Sequence, residues 1–170
     1  MFNFLKRPKA DFERAELLAW DTLRKSKTSY PPVCAAEIAQ QNGIKVEIAR
    51  LKQEYRQTIA GIIDPASGII VVNTEDSISR RNFTVAHCLG HIILEHDIKS
   101  PEYNIVFRYA EKRWIKSPME QEADYFAASL LVPMDKLRGL LEMGPNLPNC
   151  YFALYFGVVE GAIKWRRKYA

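Results

Sequence analysis

The sequence predicts a single α+β domain in which a small sheet packs on a buried helix and further helices follow towards the C-terminus. Three observations lead there. The segment Thr84–His96, TVAHCLGHIILEH, is apolar round most of a helix, as befits an element enclosed on nearly every side. Between Ile44 and Asn73 the chain alternates apolar and polar residues, then runs through β-branched stretches joined across Pro65 and Gly68, the pattern of strands and a hairpin. From Met119 onward, helical patterns are punctuated by Pro and Gly, which stop helices. With 48% hydrophobic and 26% charged residues, the 170-residue chain has the make-up of one globular domain able to bury a sizeable core. Residues 1–30 form its N-terminal helical segment and residues 145–170 a C-terminal extension.

Taken in order, Asp11 to Lys25 is an amphipathic helix with Phe12, Leu17, Leu18 and Leu23 apolar among charges. After the break at Tyr30-Pro31-Pro32, Cys34 to Gly43 reads as a short helix stopped by its glycine, with Glu37 placed as a capping box requires but Cys34 a weak cap. Ile44 to Ile48 enters the sheet, and Thr58–Ile63 and Ile69–Asn73 make the hairpin. Caps for the central helix come from Asp76, Ser77 and Ser79, and Gly90 within it suggests the close approach of a neighbour. Tyr103 to Arg108 reads as a strand inside a segment, Lys99 to Lys116, that is expected to wall a cleft flexibly. Met119–Leu131 is a helix ending before Pro133, Met134–Met143 another closed by Gly144-Pro145, and Cys150–Phe156 and Val159–Tyr169 a helical pair around Gly157-Val158. That pair has helix-turn-helix form, but Val159 is no cap, and Leu154, Phe156, Val158 and Ile163 are expected to pack on the core rather than serve DNA.

Chemistry concentrates in the central helix. His87 and His91 lie about one turn apart, so both imidazoles stand on one face and can reach a single tetrahedral ion such as zinc. The spacing is that of the zinc-peptidase motif His-Glu-x-x-His, in which the Glu takes a proton from the attacking water. Here Cys88 occupies that position. A third ligand six residues after the second His, behind a glycine, does not fit, since Asp97 stands there and His96 one place earlier. A Glu from a later helix does fit: Glu120 can bind metal while Asp124, one turn on, accepts the outer N–H of a ligating histidine. Glu122, about 200° round the helix from Glu120, is expected to face solvent.

RRNFTVAHCLGHIILEH followed by EQEADYFAASLLVP resembles the ImmA/IrrE family of zinc metallopeptidases, from about Pro31 to the C-terminus. The resemblance implies a zincin-like core of gluzincin type with Zn²⁺ on His87, His91 and Glu120, and Cys88 where the family carries its general base. It implies an intracellular peptidase cleaving a regulatory protein, typically a helix-turn-helix repressor, in a form impaired at position 88. The alternative is a module that holds such a partner without cutting it. Gluzincin sheets offer an edge strand to substrate, which points to the hairpin as the place of peptide docking.

Composition narrows the setting. No apolar run approaches the roughly 20 residues of a membrane span, and Met1–Pro8 lacks a signal-peptide core. Cys34, Cys88 and Cys150 are odd in number and widely spaced, so neither a disulfide framework nor a thiolate knuckle is indicated. Both point to the cytoplasm. The net charge of +4 is mild, and its excess at Lys164, Arg166, Arg167 and Lys168 reads as cations in the last turn of a helix rather than a nucleic-acid patch.

Overall fold

A computed structural model describes residues 9–28, 30–64, 66–96 and 117–170, and the backbone of residues 105–107. The element order is α1 (Phe12–Lys25), α2 (Ala35–Gln41), β1 (Lys45–Ala49), β2 (Ile59–Asp64), β3 (Ile69–Asn73), α3 (Ile78–Ile93), β4 (Ile105–Phe107), α4 (Pro118–Leu131), α5 (Met134–Met143), α6 (Asn149–Phe156) and α7 (Glu160–Arg166). The α+β class is as the sequence predicts. The expected strand Tyr103–Arg108 survives as β4, while the cleft wall expected across Lys99–Lys116 otherwise lies outside the described residues, as does Pro65 of the hairpin turn.

The sheet runs in the order β1-β3-β2-β4, with β1 parallel to β3 and β2 antiparallel to both its neighbours. The hairpin β2–β3 is therefore central, paired on both sides. This corrects the expectation that the hairpin itself offers a docking edge: both its strands are already paired, and among the described residues the outer strands of the sheet are β1 and β4. The sheet settles directly on α3 because Gly61 has no side chain. A Cβ there would lie 2.6 Å from Thr84 Cγ2 and 2.9 Å from the Val71 carbonyl oxygen.

Helix α3 begins where Ser77 Oγ accepts the Arg80 N–H at 3.3 Å, and every residue from Thr84 to Leu89, with Gly90 and His91, is buried. Sheet, α2 and α4 enclose it. Helix α4 crosses it closely at Gly90, where a Cβ would meet Phe126 Cδ1 at 3.0 Å and the Ala123 backbone at 3.3 Å, as the lone glycine suggested. Around this pair the core gathers Ile38, Ile70, Leu89, Phe126, Leu130, Leu131, Phe152, Phe156 and Ile163, all at most marginally exposed.

Tertiary partners refine three further expectations. Cys34 makes no side-chain cap, as expected of a weak acceptor; Asn82 on α3 instead accepts the Ala35 N–H at 2.8 Å and returns its amide to the Val33 carbonyl at 2.8 Å. Leu17 and Leu154 are exposed, because α1 buries the stripe Ala15, Ala19 and Leu23, and α6 buries Phe152 and Phe156. Arg166 does lie in the last turn of α7, yet has no exposed surface at all. No helix among the described residues is long and apolar enough to cross a membrane.

Candidate metal centre

His87 and His91 project from the buried middle of α3, and Glu120 from the first turn of α4, where Ser117 caps the helix by accepting the Glu120 N–H at 3.3 Å. The Nε2 atoms of the two histidines lie 3.1 Å apart. Glu120 Oε1 is 3.3 Å from His91 Nε2 and Oε2 is 3.6 Å from His87 Nε2. An ion with tetrahedral bonds of about 2.0–2.1 Å holds its ligand atoms roughly 3.3 Å apart. The three side chains thus form a group able to hold a metal ion.

Proton bookkeeping supports a cation. Asp124 Oδ1 lies 2.9 Å from His87 Nδ1; a carboxylate only accepts, so the ring donates from Nδ1 and its Nε2 is left with a lone pair. Burial, ahead of the neighbouring His87, lowers the pKa of His91 against the opposing pull of Glu120. Burial alone would raise the pKa of Glu120, but its hydrogen bond with His91 and the fields of both histidines hold it below the usual carboxylate value. Two imidazole nitrogens and a carboxylate facing one point are a donor set for zinc.

Cys88, next to the first histidine, has no exposed surface and belongs to the apolar core. Its thiol is pushed up to about 12, first by burial and then by the Glu120 carboxylate. At neutral pH it keeps its proton, being neither thiolate ligand nor base.

The structure brings together His87, His91, Glu120 and Asp124 as the sequence anticipates, and adds two residues that sequence reasoning missed. His96 Nδ1 lies 3.0 Å from His91 Nδ1, and His96 Nε2 lies 2.9 Å from Glu122 Oε2. Glu122 is thus buried rather than solvated, and its other oxygen accepts the Asp11 N–H at 2.8 Å. Helical geometry placed Glu122 correctly opposite Glu120; what it could not show is that α1 and the chain after α3 cover that side. A histidine five places after a ligand was the available signal.

A family model described as the IrrE N-terminal-like domain matches residues 39–167. No curated protein matches the chain. A solved structure of a Mycobacterium tuberculosis transcriptional regulator is similar in fold, with a TM-score of 0.60 at 19% identity over 89% of this chain. The chain spans 44% of that protein's length. With about three quarters of its residues under that model, the chain belongs to the IrrE N-terminal-like domain family.

Proposed function

We propose that the chain is a cytoplasmic zinc-binding domain of metallopeptidase design that acts on a regulatory protein of the helix-turn-helix repressor class, with hydrolysis impaired at Cys88. The observation that carries the reading is the convergence of His87 Nε2, His91 Nε2 and the Glu120 carboxylate on one point. Bound there, zinc would supply Lewis acidity towards a carbonyl and water. Asp124 orients His87 by taking its Nδ1–H. The neighbouring thiol holds its own proton and accepts none, and a missing general base costs about 10²- to 10⁴-fold in rate. Family membership and the fold of a transcriptional regulator support a regulatory target.

A second reading, a module that binds such a regulator without cleaving it, draws on the complete burial of Cys88. The test is zinc content per chain together with incubation of a candidate repressor. About one zinc is expected in the wild-type protein and loss of it in His87→Ala and Glu120→Ala; full zinc in Glu120→Ala would sink the third-ligand assignment. Slow cleavage favours the impaired peptidase, and stable capture of an intact repressor favours the module.

A further inference from the structure

His91 carries the same demand as His87: to ligate through Nε2 it must keep its hydrogen on Nδ1. Among the described residues no carboxylate is bonded to that nitrogen; it faces His96 Nδ1 at 3.0 Å. Two ring nitrogens at that distance need one hydrogen between them, and which ring supplies it depends on the far side of His96. There Glu122 Oε2 lies 2.9 Å from His96 Nε2, and a carboxylate can only accept. A neutral His96 therefore donates from Nε2 to Glu122, presents a bare Nδ1, and takes the hydrogen of His91 Nδ1. The lone pair of His91 then falls on Nε2, opposite that of His87 and beside Glu120.

We infer that His96 and Glu122 are positioning residues that fix His91 as its Nδ1–H tautomer, and so complete the metal site on the side that Asp124 does not reach. The pair is itself built. The side chains of His96 and Glu122 are only 5% and 11% exposed, so a misdirected hydrogen there would have no water to turn to. Glu122 is anchored by the Asp11 N–H, and Asp11 caps α1 by accepting the Arg14 N–H at 2.9 Å. Arg14 in turn donates to the Leu94 carbonyl at 3.0 Å, at the end of the helix that carries both histidines. His96 enters the site because Glu95 adopts a left-handed φ of 55° and the His96 N–H returns to the His91 carbonyl at 3.0 Å. The two ligand histidines are thus oriented by separate routes, one through Asp124 and one through His96, Glu122 and α1.

The inference rests on the metal-site reading, and two measurements separate their failures. In metal-free protein at about pH 8, above the ordinary histidine range, long-range proton–nitrogen spectra of ¹⁵N-histidine report each tautomer. His87 and His91 are expected as Nδ1–H and His96 as Nε2–H. His91 found as Nε2–H, donating towards Glu120, would overturn the inference whether or not zinc binds. In the second measurement, zinc affinity is read by competition with a chromophoric chelator, after the melting of the metal-free variants is matched. His96→Phe, which keeps a ring but no acceptor, is expected to weaken zinc roughly 10- to 100-fold. His96→Asn, whose Oδ1 can stand where Nδ1 stood, is expected to recover most of that loss. Equal affinity in wild type and His96→Phe, or an equal loss in both variants, would refute the positioning role. A wild-type protein that takes up no zinc would instead remove the metal-site reading, leaving the tautomers to decide the hydrogen-bond relay.

Discussion

At position 88 a thiol without exposed surface stands beside the first of two converging histidines, in the place where the peptidase motif carries its carboxylate base. Burial and the Glu120 charge push the thiol up to about 12; burial and a like charge raise a carboxylate's pKa as well, the direction that a general base at neutral pH requires. Cys88→Glu is therefore expected to raise hydrolysis of a candidate repressor by at least about 10²-fold, with equal zinc in both proteins. Equal, robust cleavage by both would mean that position 88 supplies no base, and silence from both would favour the binding module. Asp124 acts at one remove. Its carboxylate takes the His87 Nδ1–H at 2.9 Å, and Asp124→Ala should weaken zinc about 10- to 100-fold while leaving the melting of the metal-free protein nearly unchanged. Unaltered affinity by chelator competition would reduce Asp124 to a helix-face residue.

At the scale of elements, what caps and breakers encode was legible in the sequence. Ser77 starts α3, Pro133 separates α4 from α5, and the hairpin strands fall within one residue of their expected bounds. What was not legible depends on partners distant in sequence: Asn82 capping α2, β1 and β4 enclosing the hairpin, and His96 and Asp11 covering Glu122. Periodicity reports that a face is covered, but not by what. Gly90 is an intermediate case, since a glycine in a buried helix signals close approach without naming the neighbour. The crossing of α3 and α4 there sets the reach of Glu120 to the two histidines, so a methyl at position 90 should act on both stability and site. Helix propensity favours Ala over Gly by about 1 kcal/mol, yet contacts of 3.0 Å to the Phe126 ring and 3.3 Å to the Ala123 backbone oblige α4 to yield by a few tenths of an ångström to admit it. Overpacking costs about 1–3 kcal/mol. Gly90→Ala is expected to lower stability in urea and to weaken zinc binding with it; a stabilised protein with unchanged affinity would show slack between the helices.

Across the whole molecule, the buried charge at the far end of the chain ties its first helix to its last. Arg166 on α7 donates to both oxygens of Glu16 on α1 at 2.8 Å and, through Nε, to the Val132 carbonyl at 3.1 Å, while Ser129 on α4 donates to Glu16 at 3.0 Å. The basic C-terminal run read in sequence as cations in the last turn of a helix, and composition cannot distinguish the arginine that turns inward. Breaking a buried pair costs roughly 3–5 kcal/mol; with the Glu16 side chain 35% exposed, Arg166→Met should fall at or below the low end of that range. The pH dependence is more discriminating than the magnitude. Burial alone would raise the pKa of Glu16, but Arg166, aided by Ser129 and Tyr125, lowers it below the ordinary value of 4.5. A lowered carboxylate contributes stability that is present above its unfolded pKa and lost as the pH falls through the folded one, so this part of wild-type stability should decline below about pH 4.5. Remove the arginine and burial is left largely unopposed, so the folded pKa of Glu16 should rise above its unfolded value. The folded state then binds its proton first, and the sign reverses: acidification from pH 7.5 towards pH 5 should restore part of what Arg166→Met lost. The measurement is the difference in unfolding free energy between wild type and variant, in chelator, at several pH values, so that histidines common to both cancel. A gap that narrows on acidification supports the pairing as the source of stability. A gap independent of pH would show that Arg166 stabilises the fold through its packing and its bond to Val132, with Glu16 a bystander.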